Sequence, residues 1–164
     1  MSRQTVDANE FRRTLGCFAT GVTVVTAVGV DGEFVGVTVN SFNSLSLDPP
    51  LVLWSLDANS PLLQAFERAS HFAVNVLAED QIEISQRFAL SAVDKFAQLK
   101  LSKGLGGGPL IAECMAWIEC RNHSHHRYGD HLLFIGEVER LAETSKKPLL
   151  YLRGHYTGAG ERVA

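Results

Sequence analysis

Two groups of residues in this chain have the types and spacing that chemistry requires, and the first is a group of histidines. His123, His125, His126 and His131 lie close together, and imidazole is a common ligand of zinc, copper and nickel. Their spacing matches no H-E-x-x-H or other His-carboxylate pattern, so we predict no metal site. His131 differs from the others because it follows Gly-Asp at the start of a predicted strand, which can fix the direction of its side chain. His131 is therefore the catalytic candidate, with a hydrogen bond to the turn as the alternative.

The second group is a run of small, uncharged polar residues between two predicted strands. Hydrogen-bond donors and acceptors at this density suit a flat heterocycle with amide-like edges, while hydroxyls, helix amides and one arginine suit a phosphate. Because some of these side chains will only cap turns, composition alone predicts no more than a polar ligand site. The residues are Thr38, Asn40, Ser41, Asn43, Ser44 and Ser46, together with Ser55, Asn59, Ser60 and Arg87.

Other active-site patterns are not matched. The glycine-rich segment 104–108 fails the G-x-G-x-x-G pattern because Pro109 stands where the last glycine belongs. The sequence has no P-loop and no G-x-S-x-G elbow, Cys17 has no assignable partners for nucleophilic catalysis, and paired carboxylates are not evident. Any nucleotide must therefore be held without these motifs.

The bulk composition is that of an ordinary globular protein. With 164 residues, 46% hydrophobic and 20% charged, we expect one domain spanning 1–164. The formal charge of −3 offers no general attraction to nucleic acid or to an anionic membrane. No apolar stretch approaches the roughly 20 residues that span a bilayer, so a cytoplasmic location is the default expectation. Three cysteines without C-x-x-C spacing are interpreted as buried free thiols.

Elements that position these residues can be predicted from periodicity. Asp7 and Glu10 resemble a helix cap, and Phe11 and Leu15 repeat at helical spacing, so a helix is predicted over 7–17. The β-branched segment 21–28 meets the turn signal Asp31-Gly32, which predicts a hairpin. Further predicted elements are strands 35–40, 51–56 and 72–77, helices from Ser60-Pro61 and over 80–89, a mobile segment 91–108, long strands 112–121 and 131–139 joined by a histidine-rich link 122–130, and a last strand within 148–156.

Six or seven strands with only three short helices favour a mainly β (α+β) fold. Regular alternation of strands and helices, which a doubly wound parallel sheet requires, is missing. We therefore expect an antiparallel barrel with helical additions.

An ordered series of short motifs resembles the short-chain flavin reductase family, which has the FMN-binding split-barrel fold. The series covers nearly the whole chain, and its specificity lies in the order rather than in any one piece. The motifs are Phe-Arg-Arg at 11–13, Phe-Ala-Thr-Gly-Val-Thr-Val-Val-Thr at 18–26, Gly-Val-Thr-Val-Asn-Ser-Phe at 36–42, Ser-Leu-Ser-Leu-Asp-Pro-Pro-Leu-Val at 44–52, Phe-Ala-Val-Asn-Val-Leu at 72–77, Gln-Arg-Phe-Ala at 86–89, Asp-Lys-Phe at 94–96, Gly-Asp-His at 129–131 and Gly-Glu-Val at 136–138.

This resemblance implies an antiparallel split β-barrel that forms a homodimer. It also implies that NADH or NADPH is used to reduce FMN or FAD, with the reduced flavin passed to a partner flavin-dependent monooxygenase. Neither a nucleic acid nor a membrane is an expected partner. The alternatives are a non-catalytic flavin- or haem-binding carrier or sensor, and a structural partner of an oxygenase.

The resemblance also implies roles for individual residues. His131 is expected near the nicotinamide side of the flavin. The segment matching 38–46 is expected to contact the isoalloxazine and ribityl chain, and the residues matching Ser55, Asn59, Ser60 and 85–88 are expected to approach the phosphate. The cofactor-binding residues implied in this way are Thr38, Val39, Asn40, Ser41, Ser44, Ser46, Ser55, Asn59, Ser60, Ser85, Gln86, Arg87, Phe88 and Tyr156.

Overall fold

The chain is built mainly from antiparallel strands, as seen in a computed structural model that describes residues 6–91 and 94–161. The ends of the expected domain, 1–164, and residues 92–93 of the expected mobile segment lie outside the described residues. The helices are α1 (Ala8–Leu15), α2 (Leu63–Arg68) and α3 (Ile82–Ala89). The strands are β1 (Thr20–Gly21), β2 (Thr23–Val28), β3 (Phe34–Val39), β4 (Asn43–Leu47), β5 (Pro50–Asp57), β6 (His71–Val76), β7 (Leu101–Lys103), β8 (Pro109–Ile111), β9 (Ala116–Tyr128), β10 (His131–Glu143), β11 (Leu149–Leu152) and β12 (His155–Gly158).

A seven-stranded sheet organises the fold, in the order β3-β2-β6-β9-β10-β5-β4 with every pairing antiparallel. Smaller sheets add β1-β11-β12 and β7-β8. The predicted mainly β, antiparallel class with short helices is confirmed. Strands β3 and β4 are the two edges of the large sheet, so its hydrogen-bonded strands do not close into a complete ring within the described residues.

The β2–β3 hairpin shows how local sequence sets this geometry. Gly32 in its turn has φ +83°, a left-handed conformation that glycine adopts without strain. Alternation along β3 then turns Val35 to the core and Thr38 to the opposite face. That face is covered by α3, since the Thr38 hydroxyl donates a hydrogen bond to the Ser85 carbonyl oxygen at 2.7 Å.

Two apolar clusters hold the sheet and helices together. In the first, Trp54 is fully buried and stacks on Phe134, with ring centroids 4.5 Å apart, while Phe66 of α2 packs edge-on against both. In the second, Phe88 of α3 packs with Val24 and other apolar residues. Helices α2 and α3 are therefore each fixed by one large aromatic side chain, because burying such a ring stabilises the fold by several kcal/mol at ~25 cal/mol per Å².

Several predicted boundaries are corrected by the structure. The histidine-rich segment is not a link: residues 116–128 form one strand, and only Gly129 and Asp130 make the turn into β10. The long ladder between β9 and β10 explains this, because paired strands satisfy the backbone groups of the polar tip. The last predicted strand is a hairpin of two strands, β11 and β12.

The start of α2 is also corrected. Ser60 does not cap its first residue: the helix begins at Leu63, after a turn in which Leu63 N–H donates to the Ser60 carbonyl. The side chain of Ser60 accepts instead from Leu62 N–H at 3.3 Å. The thiol prediction holds for Cys114 and Cys120, which are buried, but is wrong for Cys17, which is exposed.

The glycine-rich segment is fixed in place, contrary to the prediction of a mobile segment. Strands β7 and β8 form a short hairpin around it. Leu105 N–H donates to Glu119 Oε2 at 2.6 Å, and Glu119 is only 4% exposed. A Cβ on Gly104 would lie 2.6 Å from that oxygen, so the segment needs glycine in order to enclose a carboxylate of β9.

Two apolar surfaces remain open on the single chain. Helix α1 begins as predicted, with Asp7 Oδ1 accepting from Asn9 and Glu10 N–H, but it buries no residue. Its predicted apolar face is exposed, including Phe11 and Leu15. Strand β5 was expected to be covered on both faces, yet only the face carrying Val52, Trp54 and Leu56 is buried. No helix in the described part of the chain has the length and apolarity to span a membrane.

Candidate functional site

A polar groove of about 230 Å³ forms where the end of β3 meets the junction of β5 and β10. The large sheet pairs β10 with β5, which brings residues distant in sequence to one place. Six of the predicted site residues lie along this groove, so the structure brings together most of the ring-binding set and the catalytic candidate. The lining residues are Val37, Thr38, Val39, Asn40, Ser41, Ser55, Leu56, Asp57 and His131.

Ser41 fixes the loop side of the polar groove to β5. Its hydroxyl oxygen accepts from Ser55 N–H at 3.0 Å and donates to the Ser55 carbonyl at 3.2 Å. Just beyond the end of β3, the Ser41 hydroxyl therefore satisfies the backbone N–H and carbonyl of Ser55, as a backbone of a neighbouring strand would do. This bond leaves the neighbouring Asn40 side chain exposed at the groove.

His131 is held at the mouth of the polar groove by a carboxylate. Its Nδ1 lies 2.7 Å from Asp130 Oδ1, and this hydrogen bond lowers the pKa of the Asp130 carboxyl. Since an ionised carboxylate can only accept, Nδ1 carries the proton and Nε2 remains available. Asp57, directly across the strand pairing from His131, places a second carboxylate at the same end.

A second cavity, the lysine groove, has a volume of about 340 Å³ and shares Val37 with the polar groove. Lys95 Nζ donates to the carbonyls of Gly36 at 3.4 Å and Phe88 at 3.2 Å. Partial burial lowers the pKa of Lys95. Because an ammonium has three donors, the two carbonyls leave capacity for an anion. The remaining lining residues are Ser60, Pro61, Leu62, Phe88, Ala89, Leu90 and Ser91.

Some predicted residues support the walls of these grooves instead of lining them. Ser85 is fully buried, and its hydroxyl lies 2.9 Å from the Tyr156 hydroxyl, so these two residues tie α3 to β12. Phe88 is also fully buried, and touches the lysine groove from within the core. Asn59 N–H donates to Asp57 Oδ1 at 2.7 Å, which shapes the end of β5.

The other predicted residues lie outside both grooves. Ser44 and Ser46 lie on the edge strand β4, next to an irregularity in its pairing with β5. Arg87 donates from Nη1 to the Ala97 carbonyl at 3.0 Å, and its neighbour Gln86 is exposed.

Sequence reasoning missed Lys95 and Asp57. Lys95 stands in a segment without periodicity, and its only signal was the Asp-Lys-Phe motif, to which no role was given. Asp57 looked like a strand end, and only the β5–β10 register reveals that it opposes His131. No group of three or more His, Cys, Asp or Glu side chains is placed to hold a metal ion within the described residues.

The arrangement can bind a ligand with two chemically different ends. Uncharged hydroxyl and amide groups line the polar groove, and an ammonium and serine hydroxyls line the lysine groove. Such a surface fits a flat polar ring at one end and an anionic group at the other. The imidazole of His131, held by its hydrogen bond to Asp130, lies at the end of the surface that fits the ring.

The chain is similar in sequence to known proteins over most of its length. The sequence model of a family described as Flavin reductase like domain matches residues 15–160. The chain is 44% identical to the FMN reductase (NADH) SmoA of Agrobacterium fabrum, over 92% of this chain and 85% of that protein. It is 44% identical to the flavin-dependent monooxygenase reductase subunit HsaB of Mycobacterium tuberculosis, over 96% of this chain and 85% of that one.

A solved structure extends the likeness to three dimensions. The NADH:FAD oxidoreductase SgcE6 of Streptomyces globisporus, in complex with NAD and FAD fragments, superimposes with a TM-score of 0.86. The two chains are 36% identical, and the alignment covers 99% of this chain and 98% of the other.

Proposed function

This chain belongs to the flavin reductase-like family, and on that premise we propose that it catalyses the reduction of FMN or FAD by NADH or NADPH. We also propose that it supplies the reduced flavin to a partner flavin-dependent monooxygenase. In support, its HsaB relative is named the reductase subunit of a flavin-dependent monooxygenase. One observation carries the proposal: five residues assigned to the flavin ring and nicotinamide line one polar groove, which adjoins a groove containing a lysine. Ser55, which was assigned to the phosphate, lies in the same polar groove. The carrier or sensor alternative is not favoured, because the relatives are reductases.

The donors present fit a flavin. Thr38, Asn40 and Ser41, with the backbone between them, offer the uncharged polar groups that the edge of an isoalloxazine requires. Lys95 and Ser60 offer a charge and a hydroxyl for the phosphate at the other end. The hydrogen bond from the Thr38 hydroxyl to the Ser85 carbonyl joins β3, which lines the polar groove, to α3, which lines the lysine groove.

Hydride transfer itself needs no catalytic side chain, since a bound flavin supplies the electron-accepting chemistry. The task of this chain is to hold the nicotinamide against one face of that ring, where orientation alone lowers the barrier by several kcal/mol. We assign this task to His131, and the hydrogen bond by which Asp130 holds its imidazole at the mouth of the polar groove supports the assignment. A hydrogen bond from Nδ1 to Asp130 leaves Nε2 free to accept a hydrogen bond from the dinucleotide.

A homodimer is part of the proposal. The exposed Phe11, Leu15 and Phe18 lie close together in sequence on and just after α1, and the outer face of β5 is only half-buried. Apolar surface of this kind favours association. In sedimentation experiments a Leu15→Glu variant should shift the protein from dimer to monomer, and an unchanged sedimentation coefficient would argue that α1 is not in the interface. The proposal also includes the expected single domain over 1–164 and a cytoplasmic location, which supplies both dinucleotides.

The test is anaerobic reduction of each flavin. Purified protein with FMN or FAD should lose the visible absorbance of oxidised flavin when NADH or NADPH is added, much faster than flavin and dinucleotide alone. A protein that binds flavin tightly but leaves it oxidised would be a carrier, and no reduction of either flavin by either dinucleotide would refute the proposal.

A further inference from the structure

A third cavity, here called the arginine cavity, is lined by three arginines from two separate parts of the chain. Arg12 and Arg13 lie on the last turn of α1, and Arg153 lies in the turn between β11 and β12. The cavity has a volume of about 670 Å³ and shares no lining residue with the polar groove or the lysine groove. Thr14 and Gly16 complete much of its wall.

Within the part of the chain that the structure describes, the three arginines of the arginine cavity have no acidic partner. Elsewhere in the chain Arg121 and Arg140 pair with glutamates within 4.0 Å. No carboxylate of residues 6–91 or 94–161 comes that close to Arg12, Arg13 or Arg153. A chain with a net charge of −3 therefore concentrates positive charge around one concavity.

The two walls of the cavity are fixed to each other. Arg153 N–H donates to the Gly16 carbonyl at 2.8 Å, which joins the β11–β12 turn to the end of α1. The turn is held in left-handed backbone conformations, with φ +50° at Arg153 and +83° at Gly154. A Cβ on Gly16 would lie 3.6 Å from Arg153 Cα, so the backbones are in close contact. The backbone positions that carry the arginines are thus joined before any ligand binds.

The end of a helix carries partial negative charge on its free carbonyls, which would oppose an anion. Here the carbonyls of Arg12, Thr14 and Gly16 each accept a backbone N–H. That negative end is therefore largely neutralised. The exposed Phe11 and Leu15 are four residues apart on one face of α1, while Arg12 and Gly16 are four apart on a different face, so covering the apolar face leaves the arginines accessible.

We propose that the arginine cavity binds the phosphate groups of a nucleotide. A guanidinium pairs with two phosphate oxygens at once, and several guanidiniums around one concavity match a pyrophosphate better than a single carboxylate. The volume lies within the roughly 300–1,000 Å³ typical of small-molecule sites, and a concave shape favours a small anion over the flat surface of a protein. Binding of phosphate groups in the arginine cavity does not depend on flavin reduction. Which nucleotide carries those phosphates, NAD(P)H, FAD or a separate one, rests on the proposed function.

The direct test is calorimetric titration with ADP and with inorganic pyrophosphate, which contain neither a flavin nor a nicotinamide ring. The double variant Arg12→Gln, Arg153→Gln should bind each probe at least tenfold more weakly than the parent, and the parent affinity should fall as salt is raised. Arg68→Gln and Arg127→Gln, two arginines without an acidic partner among the described residues and outside the cavity, are the matched controls and should bind normally.

Unfolding midpoints of all variants check that folding is retained. If the double variant does not fold, Arg12→Lys replaces it, because lysine keeps the positive charge but cannot form a bidentate hydrogen bond to phosphate. The Arg12→Lys variant should bind pyrophosphate severalfold more weakly than the parent. Equal affinities in parent and cavity variants, equal losses in the controls, or no binding of either probe to the parent would each overturn the proposal.

Steady-state kinetics of the cavity variants then show which nucleotide binds in the arginine cavity. A rise in KM for NADH or NADPH with kcat unchanged assigns the site to the dinucleotide, and a rise in KM for FAD but not FMN assigns it to the adenylate of FAD. Lost ADP binding with unchanged kinetics assigns it to a separate nucleotide. A parent that binds ADP but reduces no flavin would refute the proposed function and leave the cavity proposal standing.

Discussion

Replacing Gly36 by alanine should loosen the wall between the sheet and α3. A Cβ at this position would lie 2.6 Å from Cε1 of Phe88 and 3.0 Å from Cζ of Phe96. Carbon atoms in contact are roughly 3.5–4.0 Å apart, so the Phe88 ring must retreat by about 1 Å. Phe88 is fully buried and packs edge-on against Phe96 at 4.9 Å, which leaves it little room to move.

The expected loss of stability follows from two opposing terms. Overpacking a well-filled core costs about 1–3 kcal/mol. Alanine also restricts the unfolded chain more than glycine does, which returns about 0.4–1 kcal/mol. We therefore expect Gly36→Ala to lower the free energy of unfolding by about 1–2 kcal/mol. Displacement of α3 should also strain the 2.7 Å hydrogen bond between Thr38 and Ser85 and so weaken FMN binding.

Urea unfolding measures the first effect, and FMN titration followed by tryptophan fluorescence measures the second. Gly21→Ala is the matched control, because a Cβ there meets nothing within 4 Å and the backbone does not have a positive φ. The control should unfold at the same urea concentration as the parent or slightly above it. If Gly36→Ala is as stable as Gly21→Ala, the packing argument is wrong.

Three further predictions test separate parts of the account. Lys95→Gln should weaken FMN binding about tenfold or more, since a charge-assisted bond to phosphate contributes ~1.5–3 kcal/mol; riboflavin, which has no phosphate, should bind unchanged, and equal losses for both ligands would contradict the role of Lys95. His131→Ala should lower turnover or raise KM for the dinucleotide while flavin affinity stays close to that of the parent, and unchanged kinetics would count against it. Burial raises the pKa of Cys114 and Cys120 from 9.0 to about 12, so at about pH 8 a thiolate-specific reagent should label only Cys17 in the folded protein. Because the pKa values of Cys114 and Cys120 are higher in the folded protein, both thiols release protons on unfolding above about pH 9. The free energy of unfolding should therefore fall from there as pH rises. Rapid labelling of all three thiols in the native state would contradict the burial of Cys114 and Cys120.

Local signals predicted the elements that local interactions determine. The Asp7 cap and the Asp31-Gly32 turn were found because each satisfies its backbone groups within a few residues. The histidine-rich segment was misjudged, because polar side chains suggest a loop, whereas a long ladder with β10 satisfies its backbone and makes a strand. The segment 104–108 was misjudged for a similar reason: its partner, Glu119, is distant in sequence.

The candidate site likewise contains residues that local sequence patterns predicted and residues that they did not. The run 38–41 was visible as consecutive polar residues at a strand end, and the family motifs added His131. Their convergence depends on the pairing of β5 with β10, which no local pattern reveals. Lys95 was missed because its importance comes from the two carbonyls, of Gly36 and Phe88, that hold it between a strand and a helix.

Flavin reductase activity is measured as the consumption of NADH and NADPH by the purified protein without flavin, with FMN and with FAD. The rate should be negligible without flavin and should rise to saturation as the preferred flavin is added. A rate that neither flavin increases, with either dinucleotide, would contradict the proposed function.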